Sequence, residues 1–405
     1  MSTVNNSRLF NASCLALIVT AMTFAIRAGI LGQLNTEFGL NDTQLGWVNS
    51  MAFLGFPVAM ILGGLLYNSV GPRKLMWVAF IGHLLGLLLT IFATGFWGLI
   101  ISTFFIGFAN GSVEAACNPM IADMFPNNKT TMLNKFHVWF PGGIVIGALI
   151  STFMSGTDMG WQLQIAVMLV PTLIYGFLIF GQRFPDTVEL ESDTAANFAA
   201  IFKSPLFWFM AVCMTLTATS ELGTGQWVEK ILGNAGANAM LILALWTGIM
   251  AVGRFFAGPI VHKFNPAGVL WGSAIVSTIG IFLLLNTTGV MIYFSTAIFA
   301  IGLTYFWPTM IGFVGEYLPE TGALGMSLIG GAGMFGLSIW NPIIGGWLDD
   351  AKAEALANGM TEEAAKTAAG LATLDNLAFF PAILILAFGG LYFYMRNRET
   401  SISEV

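Results

Sequence analysis

Four ionisable side chains stand inside long apolar segments of the sequence, namely Arg27, Glu114, His137 and Glu221. An ionisable group at the centre of a lipid bilayer costs about 2.5 kcal/mol or more, so such residues mark a functional site or a structural ion pair. Carboxyl and imidazole groups can also bind and release a proton near the centre of a transport pathway. The residues around each of the four indicate which interpretation fits.

The segment around Glu114 carries two amides on one helix face. Asn110, Glu114 and Asn118 are spaced four residues apart, and Pro119 frees backbone groups beside them. A carboxyl on such a face can bind and release a proton as a site opens and closes. We predict that Glu114 does so; a structural hydrogen bond or a fixed salt bridge is the alternative.

Arg27 and Glu221 lie at similar depths in apolar segments that hold equivalent places in the two halves of the chain. Glu221 is followed by a turn of small and polar residues that includes Gly223 and Gln226. Because the two charges have opposite signs, we predict that they pair directly or share a ligand between them. Close packing of helices through small residues is the alternative explanation of the glycines.

Aromatic residues next to helix breaks provide a further signal. Trp139 precedes a Pro-Gly-Gly break, Trp307 precedes Pro308, and Trp340 precedes Asn341 and a proline. A sugar ring can stack on such aromatic planes while amides, imidazoles and carboxylates bind its hydroxyls. The predicted substrate-binding residues are Arg27, Asn110, Asn118, His137, Trp139, Glu221, Gln226, Trp307 and Asn341.

The composition indicates the environment that must hold these residues. Of 405 residues, 56% are apolar and only 9% are charged, against about 25% charged in soluble domains. This charge is too little to cover a soluble protein, so the surface must face lipid, and a soluble enzyme, a nucleic-acid binder and a disordered chain are excluded. The three cysteines all lie in apolar segments and imply no disulfide framework.

Apolar segments of about 20 residues, the length that crosses a bilayer, recur along the chain. The first segment has no small-residue cleavage site and is predicted to be a retained span rather than a signal peptide. The twelve predicted spans are 10–32, 45–67, 75–94, 96–121, 133–154, 161–181, 203–226, 239–261, 268–287, 289–314, 321–347 and 376–395.

The distribution of basic residues predicts the orientation. Loops and tails on the side of the N-terminus hold ten Lys and Arg residues, and those on the other side hold three. By the positive-inside rule both termini are cytoplasmic, and the longer polar stretch 349–375 is an outer loop with a short surface helix.

A short pattern of residues recurs in the two halves of the chain, which indicates that the halves are similar in structure. We predict an N-terminal six-helix bundle at 1–181, a cytoplasmic linker at 182–202 and a C-terminal six-helix bundle at 203–405. Gly64, Asn68 and Arg73 after span 2 correspond to a glycine, a polar residue and a basic turn after span 8. This turn resembles the inner-loop signature of the major facilitator superfamily, although Asn68 stands where an Asp is usual.

The resemblance implies an all-α membrane protein with the major facilitator fold. That fold has 12 transmembrane helices in two pseudo-symmetric six-helix bundles, with a midplane site and alternating access. We assign Asn68, Arg73 and Arg254 to structural roles or to the inner gate.

Several short motifs resemble the fucose–proton symporter family within that superfamily. These are Glu114 to Pro119 in span 4, Glu221 to Gly225 in span 7, Trp307-Pro308-Thr309 in span 10, and His137 to Phe140 at the start of span 5. The resemblance implies ion-driven hexose uptake, with Glu114 as the coupling residue. Proton-coupled members carry an acid in span 1 where this chain has Ala28, so the coupling ion is left open between proton and sodium.

Two other classes compete with a sugar symporter. A carrier of an organic anion, such as a sugar acid held by Arg27, is the alternative within transport. An enzyme is not expected, since the sequence has no nucleotide-binding loop, no metal-ligand cluster and no nucleophile beside a base. We therefore expect a monomeric transporter in the inner membrane that uses no cofactor, metal or nucleic acid.

Overall fold

A computed structural model describes residues 4–125, 129–157, 159–185, 194–233 and 236–403. Every regular element within these ranges is helical, as the apolar periodicity predicts. A π-helical turn spans Thr219–Gly223 and a 3-10 turn spans Pro319–Thr321. The α-helices are α1 Asn6–Phe38, α2 Asp42–Val70, α3 Pro72–Ile91, α4 Phe96–Met124, α5 Lys129–His137, α6 Trp139–Gly156, α7 Trp161–Val167, α8 Leu169–Ile179, α9 Thr194–Lys203, α10 Pro205–Ala218, α11 Thr224–Gln226, α12 Val228–Leu232, α13 Ala239–Phe255, α14 Ala257–Leu285, α15 Met291–Leu303, α16 Phe306–Tyr317, α17 Gly322–Ala357 and α18 Glu362–Ser403.

The all-helical membrane fold is confirmed. Eleven helical segments of the described chain are long and apolar enough to cross a bilayer, and the shorter apolar helix α13 coincides with the predicted span 8. The predicted spans correspond, in chain order, to α1, α2, α3, α4, α5–α6, α7–α8, α10–α11, α13, α14, α15–α16, α17 and α18.

The stretch 349–375 differs from the predicted loop with a separate surface helix. Helix α17 continues to Ala357 and α18 begins at Glu362, so only a short turn separates them. The stretch is rich in Ala, Glu and Lys, which favour helix and extend both spans beyond their apolar parts. Lys352 and Glu362 form an ion pair of 2.6 Å across the turn.

The predicted linker 182–202 also differs in part. Its residues 186–193 lie outside the described ranges, and the residues from Thr194 onward belong to α9. The second half of the predicted linker is therefore helical.

The chain forms two compact units. The first contains Met1–Ser192, Asn238–Ala244 and Ser338–Asp349, and the second contains Asp193–Ala237, Leu245–Leu337 and Asp350–Val405. Short pieces of α13 and α17 thus belong with the first unit, whereas the sequence assigned them to the C-terminal half. The division into two six-helix halves stays a prediction.

Glycines let the helices of the first unit approach closely. A Cβ on Gly107 of α4 would collide with the backbone of Ala52 in α2, and one on Gly111 would collide with the backbone of Phe56. The two glycines are four residues apart, so they make one flat stripe on α4. Gly55 of α2 faces α4 in the same way.

Replacing Gly107 by Leu is expected to lower the melting temperature of the purified protein, because the new side chain meets backbone that cannot move aside. Overpacking of this kind costs about 1–3 kcal/mol. Gly64→Leu is the matched control, because nothing lies within 4 Å of a Cβ at that position. Equal melting temperatures for the two variants, measured by fluorescence in detergent, would contradict this account of α2–α4 packing.

Glycines also allow close approach of α14 and α15 in the second unit. A Cβ on Gly280 would collide with Phe299, and one on Gly302 would collide with the backbone of Ser277. The two contacts come from opposite helices, so the pair is closely packed over about one helical turn.

Residues 338–349 join the first unit at the beginning of α2. The Asp349 carboxylate accepts hydrogen bonds from the backbone N–H groups of Asp42 (2.9 Å) and Thr43 (2.7 Å) and from the Thr43 hydroxyl (2.6 Å). A carboxylate at this position satisfies the free N–H groups of the first helical turn.

A second contact follows from Pro342. This proline has no N–H to bond the carbonyl four residues before it, that of Ser338. The Ser50 hydroxyl of α2 donates to the Ser338 carbonyl. Gly46 and Gly345 let the two backbones approach.

Candidate functional site

A chain of hydrogen bonds links the predicted ion-binding carboxyl to an exposed imidazole in the first unit. The Asn118 amide donates from Nδ2 to Oε2 of Glu114 at 2.8 Å, and its Oδ1 lies 3.0 Å from Nε2 of His137. Because Oδ1 can only accept, His137 donates through Nε2. Glu114 is 9% exposed, Asn118 is half-buried and His137 is exposed. The prediction that Glu114 and Asn118 share a helix face is confirmed.

His137 owes its position to a break between α5 and α6. Helix α5 ends at His137, and α6 begins at Trp139 with Pro141 in its first turn, where a missing N–H costs nothing. Trp139 is 41% exposed. The break therefore presents an imidazole and an aromatic plane two residues apart at the end of the Glu114 chain.

Asn110 does not belong to this group, although we predicted that it would. Its Nδ2 donates to the Thr23 hydroxyl at 3.0 Å and its Oδ1 lies 2.8 Å from Nε2 of His83. Nδ1 of His83 lies 2.9 Å from the Tyr175 hydroxyl, and all four side chains are buried. Eight residues of helix turn about 80° past two full turns, so Asn110 faces α1 and α3 while Asn118 faces His137. We reassign Asn110 from substrate contact to a structural network.

Arg27 is buried between two aromatic rings of the first unit. Its guanidinium carbon lies 5.2 Å from the centre of the Phe24 ring and 5.6 Å from that of Phe53, and the residue is 6% exposed. Both distances are within the range of a cation–π interaction, which partly offsets the cost of burying the charge. A guanidinium is planar, and the geometry of its donors matches that of a carboxylate.

The second unit contains a buried ion pair. Glu221 stands in the π-helical turn that replaces regular helix in span 7, and its Oε1 lies 3.0 Å from Nη2 of Arg254. We predicted that Glu221 would pair with Arg27 directly or share a ligand with it; within the second unit, the ion-pair partner of Glu221 is Arg254 of α13. Similar depth in two segments does not determine which charges meet, since helix rotation decides the direction of each side chain.

Arg254 also satisfies a carbonyl that a proline leaves free. Pro308 has no N–H for the carbonyl of Thr304, four residues earlier, and α15 ends just before this point. Nε of Arg254 donates to that carbonyl at 2.9 Å, and the Tyr305 hydroxyl donates to the Gly253 carbonyl at 3.2 Å. Arg254 thus ties spans 7, 8 and 10 together inside the second unit, a more specific structural role than the predicted one.

The other predicted residues are distributed over both units. Trp307 is half-buried against Gly330 and Gly333 of α17, and Gln226 is buried at the end of α11. Asn341 is buried in the first unit.

Of the predicted gate residues, Arg73 is exposed at the beginning of α3, and the side chain of Asn68 lies outside the described part of the structure.

We did not identify two features of the structure from the sequence. The free carbonyl of Thr304 could have been found from Pro308, four residues later. Asn49, a lone amide in an apolar run of α2, is fully buried and was not considered.

The arrangement suits the reversible binding of an ion. A mostly buried carboxylate, oriented by an amide that is itself held by an exposed imidazole, can be neutralised by a proton or a cation without rearranging its neighbours. Among the described residues no group of three or more His, Cys, Asp or Glu side chains is placed to hold a metal ion.

Comparisons of the sequence identify relatives. The family model of the Major Facilitator Superfamily matches residues 13–341. A proposed niacin/nicotinamide transporter of Bacillus subtilis is 21% identical over 307 residues, which are 73% of this chain and 74% of that protein. A D-xylose transporter of Levilactobacillus brevis is 28% identical over 38% of this chain and 35% of its own length. A cis,cis-muconate transport protein of Acinetobacter baylyi is 24% identical over 62% of this chain and 65% of its own length.

Solved structures share the fold. A bacterial homolog of the human lysosomal transporter Spinster, in an inward-facing conformation, superposes with a TM-score of 0.78 at 15% identity, covering 98% of both chains. A D-xylose–proton symporter superposes with a TM-score of 0.73 at 14% identity, covering 91% of this chain and 96% of its own. The fucose–proton symporter of E. coli superposes with a TM-score of 0.58 at 15% identity, covering 93% of this chain and 98% of its own.

Proposed function

This chain belongs to the major facilitator superfamily and is a multi-pass membrane transporter rather than an enzyme, and on that premise we propose that it takes up a monosaccharide by ion-coupled secondary active transport. The observation that carries the proposal is the chain from Glu114 through Asn118 to His137. In this proposal the protein works as a monomer and alternates between outward and inward access.

Glu114 provides the coupling step. A charged carboxylate resists passage through a closed, dry state because it loses water there, whereas a neutralised carboxylate does not. Binding of a proton or a sodium ion at Glu114 would therefore allow the loaded carrier to close and reopen on the other side. Asn118 keeps the carboxylate oriented toward His137 through both halves of the cycle.

The same region suits a sugar. Asn118, His137 and Trp139 are all accessible to some degree, and together they offer an amide, an imidazole and an aromatic plane. A sugar ring stacks its C–H face on an indole while its hydroxyls bind polar groups. Xylose and fucose symporters among the structural neighbours make a monosaccharide a chemically consistent substrate.

A carrier of an organic anion is the second candidate, favoured by one observation. Arg27 is a buried cation flanked by the rings of Phe24 and Phe53, which suits a planar carboxylate. The relatives named for niacin/nicotinamide and for cis,cis-muconate are consistent with such a substrate.

Arg27→Gln separates the two candidates. A charge-assisted hydrogen bond from arginine contributes about 1.5–3 kcal/mol, so we expect about a tenfold to hundredfold loss of affinity for an anion and little loss for a neutral sugar. Binding of nicotinate, muconate and D-xylose to the purified protein is the measurement. Lys203→Gln, at an exposed position with no assigned role in the transport pathway, is the control. Equal losses for sugar and anion would remove Arg27 from substrate selection.

The orientation is part of the proposal, with both termini on the cytoplasmic side of the inner membrane. Asn358→Cys, in the exposed turn between α17 and α18, should then react with a membrane-impermeant thiol reagent added to intact cells. Ser69→Cys, exposed near the end of α2, should react only in opened cells. The native Cys14, Cys117 and Cys213 are buried, so background labelling is expected to be low. The reverse pattern would place both termini outside.

A further inference from the structure

Asn49 of α2 is a fully buried amide that has no hydrogen-bond partner among the described residues. It is 0% exposed, and neither its Nδ2 nor its Oδ1 is paired. A buried amide that loses its bonds to water without replacement destabilises a protein by about 1–3 kcal/mol. A polar group from outside the chain, such as a bound solute, would satisfy this amide.

Asn110 provides the comparison within the same unit. It is equally buried, yet its amide bonds Thr23 and His83 on its two sides. The first unit therefore pairs a buried amide with its own side chains where the amide is structural. Asn49 departs from this pattern.

Asn49 lies on the same face of α2 as Phe53, whose ring contacts Arg27. Residues 46, 49, 50 and 53 fall on one face of α2, because they are spaced by three and four. On this face Ser50 bonds the Ser338 carbonyl, and the Phe53 ring lies 5.6 Å from the Arg27 guanidinium. Asn49 thus lies between the contact with residues 338–342 and the Arg27 group.

We propose that Asn49 is a substrate-contacting residue that selects solutes carrying hydroxyl groups. This inference rests on the proposed function and deepens it. An amide presents a donor and an acceptor, and a hydroxyl or a pair of adjacent hydroxyls satisfies both. A carboxylate offers only acceptors and would leave Oδ1 unpaired. The substrate class that fits Asn49 is therefore a hydroxylated one, a sugar or a sugar acid.

Access to Asn49 requires the face of α2 to open. Alternating access alternately exposes and buries the helix faces that line a central site. Contacts on this face of α2 include the hydrogen bond from Ser50 to the Ser338 carbonyl, for which water can substitute, and a close backbone approach at Gly46. Asn49 is buried in the conformation described and becomes reachable when this contact opens.

Asn49→Leu tests the proposal, since leucine has the same branching without polar atoms. Without substrate the variant should melt at a higher temperature than the wild type, because an unpaired amide is removed. Uptake of D-xylose or of another transported monosaccharide should fall at least tenfold, because a site built to bond a hydroxyl loses its partner. Asn110→Leu, the matched control, should melt at a lower temperature, because it leaves His83 and Thr23 unpaired.

An Asn49→Leu protein with full uptake would overturn the inference while leaving the proposed function intact. Chemical labelling of an Asn49→Cys variant provides a second test, which requires neither a known substrate nor a folded Asn49→Leu protein. A small hydrophilic thiol reagent should modify Cys at this position during incubation of membranes, since the pathway must expose it. Absence of labelling would overturn the inference. Labelling of the Asn49→Cys variant, together with a wild type that transports no monosaccharide, would instead count against the proposed substrate.

Discussion

Glu114→Gln is expected to abolish accumulation of substrate against its gradient while leaving binding and exchange measurable. Glutamine keeps the size of the side chain and can still hydrogen-bond Asn118, but it can neither take up a proton nor attract a cation. The carrier then moves between its two states without an ion, and substrate only equilibrates. We expect concentrative uptake to fall at least tenfold, to the level set by the external concentration.

The measurement is uptake into proteoliposomes with and without an imposed gradient, together with exchange under equal concentrations on both sides. Glu316→Gln, at an exposed position of α16, is the control for loss of a carboxylate and should accumulate substrate normally. Undiminished accumulation by Glu114→Gln would remove Glu114 from the coupling mechanism.

Glu221→Gln and Arg254→Gln are each expected to destabilise the protein strongly. Removal of one member of a buried pair leaves the other charge uncompensated, which costs about 3–5 kcal/mol. The double variant should recover much of this loss, because two neutral amides can hydrogen-bond each other where the ions stood. Melting temperatures of the four proteins in detergent give the result, and transport of the double variant shows whether the pair also has a role in the cycle.

The exposed pair of Lys352 and Glu362 is the natural comparison. Its disruption should change stability little, because water solvates both groups. A double variant of Glu221 and Arg254 that is no more stable than the worse single variant would show that the two side chains do not act as a pair.

Local spacing predicted the parts of the site that lie within one helix. The bond between Glu114 and Asn118 follows from a separation of four residues, and the position of the spans follows from runs of apolar residues. Both depend on helix geometry alone, which a sequence encodes directly.

Contacts between helices were not predictable in the same way. The partner of Glu221 depends on the rotation of α10 and α13 about their axes and on a π-helical turn, neither of which leaves a pattern in the apolar residues. Asn110 shows a related limit, since a rotation of about 80° between Asn118 and Asn110 along α4 directs Asn110 toward His83 rather than toward His137. The extension of α17 and α18 into 349–375 reflects helix-forming residues outside the apolar core, which a search for spans passes over.

The most direct test is uptake of radiolabelled monosaccharides into proteoliposomes under an imposed proton or sodium gradient. We expect at least one sugar to accumulate inside above its external concentration when one of these gradients is applied. The accumulated sugar should then leave when an ionophore dissipates that gradient. Uptake that never exceeds the external concentration under either gradient would contradict ion-coupled transport of a monosaccharide.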